Sequence, residues 1–237
     1  MPTAAPTKWP KRLPEFTPEQ QRVREDFMQH WHEVLPRRYG AVERFNHGWP
    51  AERAREGERT LEIGSGLGEH LNAEPAFARA GYVASELRPE MAAVIAERHP
   101  DVEVVAADCQ KRFPYEDATF DRVLAIHVLE HLPNLPAALA EVHRLLKPSG
   151  RFIAVIPCEG GVAYSLARRV SAQRVFERRY GMPYKWFIES EHINLPDEIR
   201  EECEVHFRIA DTRYFPLRVP VTTLNLVIGL ELHPLAR

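Results

Sequence analysis

The chain has 237 residues, of which 44% are apolar, enough for one large domain or one domain with appendages. Its 31 basic and 34 acidic side chains give a formal charge of −3, so the charge balance gives no general reason to expect nucleic acid or an anionic membrane as a partner. The three cysteines are far apart and odd in number, which argues against a disulfide framework and a zinc motif and indicates a reducing compartment.

The amino-terminal sequence predicts an arm followed by helices. Residues 1–16 are rich in proline and charge and lack the apolar core of a signal peptide, so we expect an extended arm unless Trp9 or Phe16 docks it. The stretch Thr17-Pro-Glu-Gln20 combines a capping threonine, a proline at the first helical position and a glutamine that closes a capping box. Apolar residues follow at helical spacing: Val23, Phe27, Trp31, Val34 and Leu35.

A second short helix is expected around Tyr39, Val42 and Phe45. A loop at residues 46–50 and a charged connector follow, and they lead directly into the first predicted strand. The connector is either a solvated link or a flap over a ligand. We interpret residues 17–58 as a helical cap. No run of residues is long and apolar enough for a membrane span, so we expect a cytoplasmic protein.

The most informative stretch is a short apolar strand that ends in a glycine-rich turn. Leu61 and Ile63 suit a strand buried in a parallel sheet. Gly64, Gly66 and Gly68 follow at alternate positions. Glycine permits positive φ and lets a ligand approach the backbone closely, so this turn is a candidate ligand site. The alternative is a tight turn that holds no ligand.

After the glycine turn, the sequence predicts further helices and strands that are separated by turns. A helix from about Glu69 to Ala80 should follow the glycines, and the free N–H groups at its start would favour an anionic group. Strands and helices then alternate, which predicts parallel β-α-β units with right-handed crossovers. The predicted strands are 82–86, 102–107, 123–126 and 151–156, and the predicted helices are 89–98 and 135–146, the second stopped by 147–150.

The positions of the glycines and acids indicate which ligand to expect. In a dinucleotide fingerprint the third glycine comes five residues after the first, whereas here it comes four residues after it. Glu62 lies two residues before the first glycine. Glu86 ends the second strand about 20 residues after the turn, where doubly wound folds place an acid that accepts ribose hydroxyls. The alternative for Glu86 is a surface carboxylate beside Arg88. Asp108, after the third strand, can reach an adenine amino group.

Together these motifs make residues 59–157 resemble the type 11 (UbiE-like) group of class I methyltransferases that depend on S-adenosylmethionine (SAM). Ser149, where the family usually has a glycine, is a departure that affects only a turn. The resemblance implies an α/β fold with a Rossmann-like, doubly wound, mostly parallel seven-stranded sheet and an antiparallel last strand. The matching segments are Leu61–Gly68, Glu86, Ala107-Asp108, Phe113–Val123, Val128–His131 and Glu141–Pro148.

The resemblance also implies roles for single residues. The glycine turn faces the methionine carboxylate of SAM, which carries no phosphate. Glu62 helps to hold the amino group, Glu86 binds the ribose hydroxyls, Asp108 and Cys109 bracket the adenine, and His127 lies near the methionine chain. The residues implied to bind the cofactor are Glu62, Gly64, Ser65, Gly66, Gly68, Glu86, Leu87, Asp108, Cys109 and His127.

The rest of the chain is expected to complete the domain, which spans 59–237, and to build the acceptor site. A helical insertion at about 158–203 carries an arginine-rich helix and an aromatic run. The arginines form either a solvated basic face or a site for an anionic substrate group. Residues 205–215 and 222–232 are predicted as the last two strands, the final one antiparallel and next to the fifth strand.

The leading hypothesis is an enzyme that moves a methyl group from SAM to an oxygen or nitrogen of a small or conjugated organic molecule. A nicotinamide-dependent oxidoreductase and a non-catalytic SAM-binding protein are the alternatives. No metal and no nucleic acid are expected. If the acceptor must lose a proton, a histidine can take it, and the candidates are His192, then His131, then His47. For His192, capping of a helix near Pro196 is the alternative role.

Overall fold

The computed structural model describes residues 8–38 and 40–236, and the side chains of residues 29 and 31–38 lie outside that description. The predictions for residues 1–7, for the side chains of Trp31, Val34 and Leu35, and for Tyr39 therefore fall outside the described residues. None of the described helices is both long and apolar enough to cross a membrane.

Seven strands and eight α-helices are described. The strands are β1 (Thr60–Ile63), β2 (Tyr82–Glu86), β3 (Glu103–Ala106), β4 (Phe120–Ile126), β5 (Leu146–Pro157), β6 (Phe207–Phe215) and β7 (Val227–Pro234). The helices are α1 (Pro18–Arg38), α2 (Gly40–Ala51), α3 (Pro89–Arg98), α4 (Leu135–Leu145), α5 (Val162–Arg168), α6 (Arg174–Tyr180), α7 (Lys185–Glu191) and α8 (Pro196–His206). A π-helical turn, Arg169–Gln173, joins α5 to α6.

The strands form one sheet in the order β3-β2-β1-β4-β5-β7-β6. The five strands β1 to β5 pair in parallel, β7 pairs antiparallel with β5, and β6 pairs antiparallel with β7. The predicted doubly wound α/β sheet and its inserted antiparallel last strand are confirmed. The strand order reverses between β1 and β4, and ligands of open α/β sheets bind beyond the carboxyl ends of the strands at such a point.

Helices cover both faces of the sheet. On one face, α4 and α8 bury Leu139 and Ile199 against inward-facing residues such as Val123. On the other face, α2 and α3 bury Trp49 and Ile95. Because the central strands are buried on both faces, they read as nearly continuous apolar runs, which is why the sequence located them well.

The predicted helix from Glu69 to Ala80 is wrong. The chain forms two 3-10 helices instead, His70–Asn72 and Ala76–Gly81. Pro75 lies between them with ψ 141°, outside the helical region. A proline cannot donate the helical hydrogen bond and disfavours the α conformation in the residue before it, so a continuous helix is interrupted here. The anion-binding argument from a long helix start therefore does not apply.

The predicted loop at residues 46–50 is also wrong, because these residues are the last turns of α2. Trp49 is 5% exposed and packs against Gly229 of β7, where an added Cβ would lie 2.7 Å from its ring. Phe45 stacks on Phe215 with ring centroids 5.1 Å apart. This burial against the sheet outweighs the low helix propensity of Gly48 and Pro50.

Strand boundaries differ from prediction in two further places. Residues 147–150, predicted to separate α4 from the fifth strand, lie within β5 as an irregularity in its pairing with β4. The last strand begins at Val227, because residues 222–224 form a 3-10 helix. The buried Asn225 holds this turn: its Nδ2 donates to the carbonyls of Val219 and Val221.

A second, smaller core lies away from the sheet. Phe27 of α1 packs edge-on against Phe176 of α6 and Phe187 of α7, with centroids 5.0 and 5.1 Å apart. The described end of the amino-terminal arm is docked, since Trp9 Nε1 donates to Glu202 and Phe16 contacts Trp186. Thus α1 joins the helical insertion, whereas α2 joins the sheet.

The contact between Trp49 and Gly229 can be tested with two glycine-to-alanine variants. Gly229→Ala should lower the free energy of unfolding by about 1–3 kcal/mol, because the new methyl would overlap the indole ring. Gly48→Ala, inside α2 with nothing within 4 Å of the added Cβ, should raise it by about 0.5–1 kcal/mol. Urea unfolding measures both. Equal effects of the two changes would contradict the packing of α2 on β7.

Candidate active site

The glycine turn has the backbone that the sequence predicted. Gly64, Gly66 and Gly68 have φ of 65°, 60° and 83°, a region that residues with a Cβ rarely adopt. At Gly64 there is also a steric reason, because a Cβ would lie 2.6 Å from Val128 Cγ2. Ser65 N–H donates to the carbonyl of Ser85 and so ties the turn to the end of β2.

Two buried acids lie at and below this turn. Glu86, 4% exposed, accepts hydrogen bonds from Gly66 N–H at 3.1 Å and from Arg88 Nε at 3.1 Å, so it is not a surface carboxylate. Glu62, 3% exposed, accepts from the Tyr82 hydroxyl at 2.9 Å. Burial, together with the negative charge of Glu62, raises the pKa of Tyr82 well above its usual range, so this hydroxyl remains a donor.

The remaining candidate cofactor residues end the neighbouring strands. Burial opposes ionisation of Asp108, but the bonds from Gln110 hold the pKa of its carboxyl below the usual value. Burial raises the pKa of the Cys109 thiol to about 12, so it stays protonated. Leu87 is 61% exposed beside Glu86, and His127, with φ 54°, donates from Nδ1 to the carboxylate of Glu130.

This set fits SAM. The glycine backbone leaves room for a close approach, Glu86 offers two carboxylate oxygens to a diol, and the exposed Leu87 offers an apolar surface to a flat base. All of these groups lie at the carboxyl edge of the parallel strands, on both sides of the point where the strand order reverses.

The structure brings two of the three candidate histidines together. The rings of His131 and His192 have centroids 5.1 Å apart. His131 Nδ1 donates to the carbonyl of Glu191 at 2.7 Å, and burial lowers the pKa of His131, so its Nε2 carries a free lone pair. His47 lies on α2, 3.4 Å from Glu43, and within the described residues no contact joins it to the pair.

His192 has a carboxylate partner that the sequence did not reveal. Its Nδ1 lies 2.9 Å from Glu159 Oε2, and Arg168 contacts the other oxygen of the same carboxylate. Burial alone would raise the pKa of Glu159, but the bonds from His192 and Arg168 lower it, so the carboxylate is ionised and His192 donates to it. In the neutral imidazole, the other ring nitrogen, Nε2, is then an acceptor.

Hydrogen bonds attach the two residues after His192 to the turn that follows β4, and this attachment is called the clamp below. The backbone N–H groups of Ile193 and Asn194 donate to the carbonyl of Glu130 at 2.9 and 3.0 Å. The fully buried Asn194 side chain donates to the carbonyls of Leu129 and Leu132. His192 ends α7 and does not cap the helix that begins at Pro196, so the alternative role considered for it is wrong.

A cavity of about 430 Å³ opens beside His192. Its wall comes from the helical insertion and includes Glu159, Arg168, Tyr184, Ile188 and Leu195. Apolar and charged groups thus meet in a concave site of the size that suits a small organic molecule. Glu159 could have been noticed in the sequence, because it is a carboxylate just after a central strand.

Glu130, His131 and His192 also approach one another. One ligand atom from each lies within 4.8 Å of the others, and Glu130 is fully buried. Burial opposes its ionisation, but the bond from His127 and the nearby imidazoles lower the pKa of Glu130 to about 2. This spacing can hold a metal ion, although no metal was expected from the sequence.

Residues 61–154 match the family model described as a methyltransferase domain. The matched segment runs from β1 to β5 and contains the glycine turn and both buried acids. The matched segment is therefore a methyltransferase domain, similar to those of SAM-dependent methyltransferases. SAM is the cofactor of this family, and the resemblance to the type 11 group is confirmed.

Among curated proteins, the demethylmenaquinone methyltransferase of Chlorobaculum tepidum is 26% identical over 138 residues, which cover 57% of this chain and 52% of that protein. The chain spans about half or less of the length of the first curated relatives it matches.

Among solved structures, the 1,6-didemethyltoxoflavin-N1-methyltransferase of Burkholderia thailandensis, with bound S-adenosylhomocysteine, has a TM-score of 0.60 at 19% identity. The alignment covers 95% of this chain and 93% of that one. The cyclase SpnF has a TM-score of 0.61 at 17% identity, covering 82% and 81%. The structural likenesses establish the fold.

Glu86 gives the sharpest test of the cofactor residues. Glu86→Ala should weaken SAM binding by about 1–3 kcal/mol, because the ribose hydroxyls would lose their acceptor in a buried site. Glu90→Ala, an exposed acid in the first turn of α3, is the matched control and should leave the dissociation constant unchanged. Titration calorimetry measures both. Unchanged affinity in a folded Glu86→Ala variant would remove the ribose role.

Proposed function

We propose that this chain transfers a methyl group from SAM to an oxygen or nitrogen atom of a small organic acceptor that binds in the cavity beside His192. The observation that carries the proposal is the Glu159–His192 pair, which faces that cavity from the same edge of the sheet as the glycine turn. The family supplies the reaction class, and this pair supports an acceptor that loses a proton.

The cofactor would be held by residues of β1, β2 and the segments after β3 and β4. Glu86 would accept from the ribose hydroxyls, Asp108 would accept from the adenine amino group, and the glycine turn would leave room for the methionine part. SAM supplies an electrophilic methyl group on a sulfonium centre. The protein's own contribution is then to align the acceptor atom with that methyl and to exclude water.

His192 would act as the general base for a hydroxyl acceptor. Its Nε2 would take the hydroxyl proton as the methyl group passes to the oxygen and its bond to sulfur breaks, leaving the demethylated cofactor, while Glu159 would keep Nδ1 protonated and stabilise the resulting imidazolium. His131, whose Nε2 also carries a lone pair, would bind or orient the acceptor beside it. A nitrogen acceptor with a free lone pair would need alignment alone.

We further propose that the acceptor site is built by the insertion and the amino-terminal helices. The aromatic core of α1, α6 and α7 fixes the cavity wall that contains Tyr184 and Ile188. Arg24 of α1 contacts the carboxylate of Glu191, whose carbonyl in turn accepts from His131. A movement of α1 would therefore displace His131 through two contacts, from Arg24 to Glu191 and from Glu191 to His131.

The other functions have less support. The glycine spacing and the matched family both argue against a nicotinamide oxidoreductase. A protein with this fold need not transfer a methyl group, as the cyclase SpnF illustrates, so turnover itself must be measured. A metal at Glu130, His131 and His192 is a second possibility for acceptor activation, and its geometry is compatible.

The base assignment predicts the kinetics of three variants. His192→Ala should lower the methylation rate of a hydroxyl acceptor by about 10²–10⁴-fold with nearly unchanged SAM affinity. Glu159→Gln should lower it less and should shift the pH profile, because Glu159 acts only through His192. His233→Ala, on β7, is the control and should have wild-type turnover.

Two outcomes would contradict this assignment. Wild-type turnover of His192→Ala would exclude His192 and make His131 the next candidate. Loss of activity on chelation, restored by added Zn²⁺, would replace the general base with a metal held by the same side chains. Because SAM binding is measured separately, failure of the base assignment would leave the cofactor assignment standing.

A further inference from the structure

One face of the helical stretch from α5 to α6 is apolar in its first half and basic in its second. Val162, Leu166 and Val170 follow one another at intervals of four and are 69%, 59% and 64% exposed. Arg174 and Arg178 continue the interval and are exposed. Val170 and these two arginines line one shallow groove, so the apolar and basic halves adjoin.

The loop between β6 and β7 extends the apolar half. Leu217, Val219, Val221 and Leu224 are 39–55% exposed at the tip of this loop. The loop lies beside the start of α5, since Val162 N–H donates to Thr223 Oγ1 at 3.1 Å. Buried Asn225 fixes the shape of the loop, because its Oδ1 accepts from Leu217 N–H and its Nδ2 donates to the carbonyls of Val219 and Val221. These side chains are therefore displayed by an ordered turn.

This apolar–arginine face, formed by residues 162–178 and 217–224, is distinct from the rest of the surface. It holds seven of the thirteen large apolar side chains that are described as exposed. Arg169 and Arg218 are also exposed within it, in addition to the two arginines of the groove. The chain as a whole has a formal charge of −3, so this local excess of positive charge has the opposite sign to the net charge.

The face adjoins the acceptor cavity. The helical stretch that displays Val170 and Arg174 also contributes Arg168 and Gln173 to the cavity wall. Leu195, 47% exposed, lines the cavity and lies 4.0 Å from the position of a Cβ on Gly160, two residues before Val162. A partner surface bound to this face would therefore lie close to the opening of the acceptor cavity.

We infer that the apolar–arginine face docks the protein on the surface of an anionic lipid bilayer. Aliphatic side chains at the tip of a helix and a loop can enter the boundary between headgroups and acyl chains, while arginines beside them pair with lipid phosphates. A second copy of the chain would present the same arginines, and the two sets of positive charges would repel each other. Charge complementarity thus favours the bilayer over self-association.

Vesicle co-sedimentation tests this inference on the full chain. Vesicles of phosphatidylcholine with about 30% phosphatidylglycerol should bind the protein, and vesicles of phosphatidylcholine alone should bind it far less. Each arginine near the surface contributes about a fivefold factor, so Arg174→Gln with Arg178→Gln should weaken binding about 30-fold. Leu166→Glu with Val170→Glu should abolish binding.

Matched variants separate docking from unfolding or a general charge effect. Val205→Glu, on α8 and 62% exposed, and Arg208→Gln, exposed on β6, should bind vesicles like the wild type. All variants should keep wild-type SAM affinity and melting temperature, because the changed side chains are exposed.

Three results would overturn the inference. The first is equal binding to both vesicle types, and the second is wild-type binding by the variants of the face. The third is a change of oligomeric state in Leu166→Glu with Val170→Glu without loss of vesicle binding, which would assign the face to a second copy. None of these results would affect the proposed methyl transfer, which is measured separately with a soluble acceptor.

Discussion

The site depends on the close approach of Val128 to Gly64. A Cβ at Gly64 would lie 2.6 Å from a Val128 methyl, so only glycine lets the end of β4 rest on the turn after β1. The parallel register, in which Ile63 lies opposite Ala125, brings the two strand ends to the same level. The residues just after Val128 include Glu130 and His131, so this contact sets the distance between the cofactor side and the acceptor side of the site.

The acceptor side is then fastened to that segment by hydrogen bonds. Asn194 donates to two carbonyls of the 129–132 turn, and the backbone of Ile193 and Asn194 shares the carbonyl of Glu130. The insertion has its own aromatic core with α1, so it is a second packed unit that meets the sheet at this clamp. The catalytic pair proposed here, Glu159 and His192, spans the two units: Glu159 follows β5, and His192 ends α7.

The sequence predicted the sheet and the backbone of the glycine turn well because their signals are local. Buried parallel strands are apolar throughout, and the glycines, Glu62 and Glu86 lie at fixed offsets from strand ends.

The errors in the prediction have physical causes. Pro75 breaks the expected helix after the turn, and burial of Trp49 on Gly229 extends α2 through a stretch that resembles a loop. Glu159 and His192 are 33 residues apart in the chain, so no local sequence pattern indicates that they are in contact. The separate helix α7 was likewise missed, since its aromatic residues pack into the second core.

The central claim is that the glycine turn and Glu86 bind SAM, and the most direct measurement is a calorimetric titration of the wild-type protein with SAM, its demethylated product and NAD. The structure and the family predict saturable binding of SAM and of the demethylated product, with one molecule per chain, and no detectable binding of NAD. Saturable binding of NAD, or the absence of binding by both SAM and its product, would contradict the account.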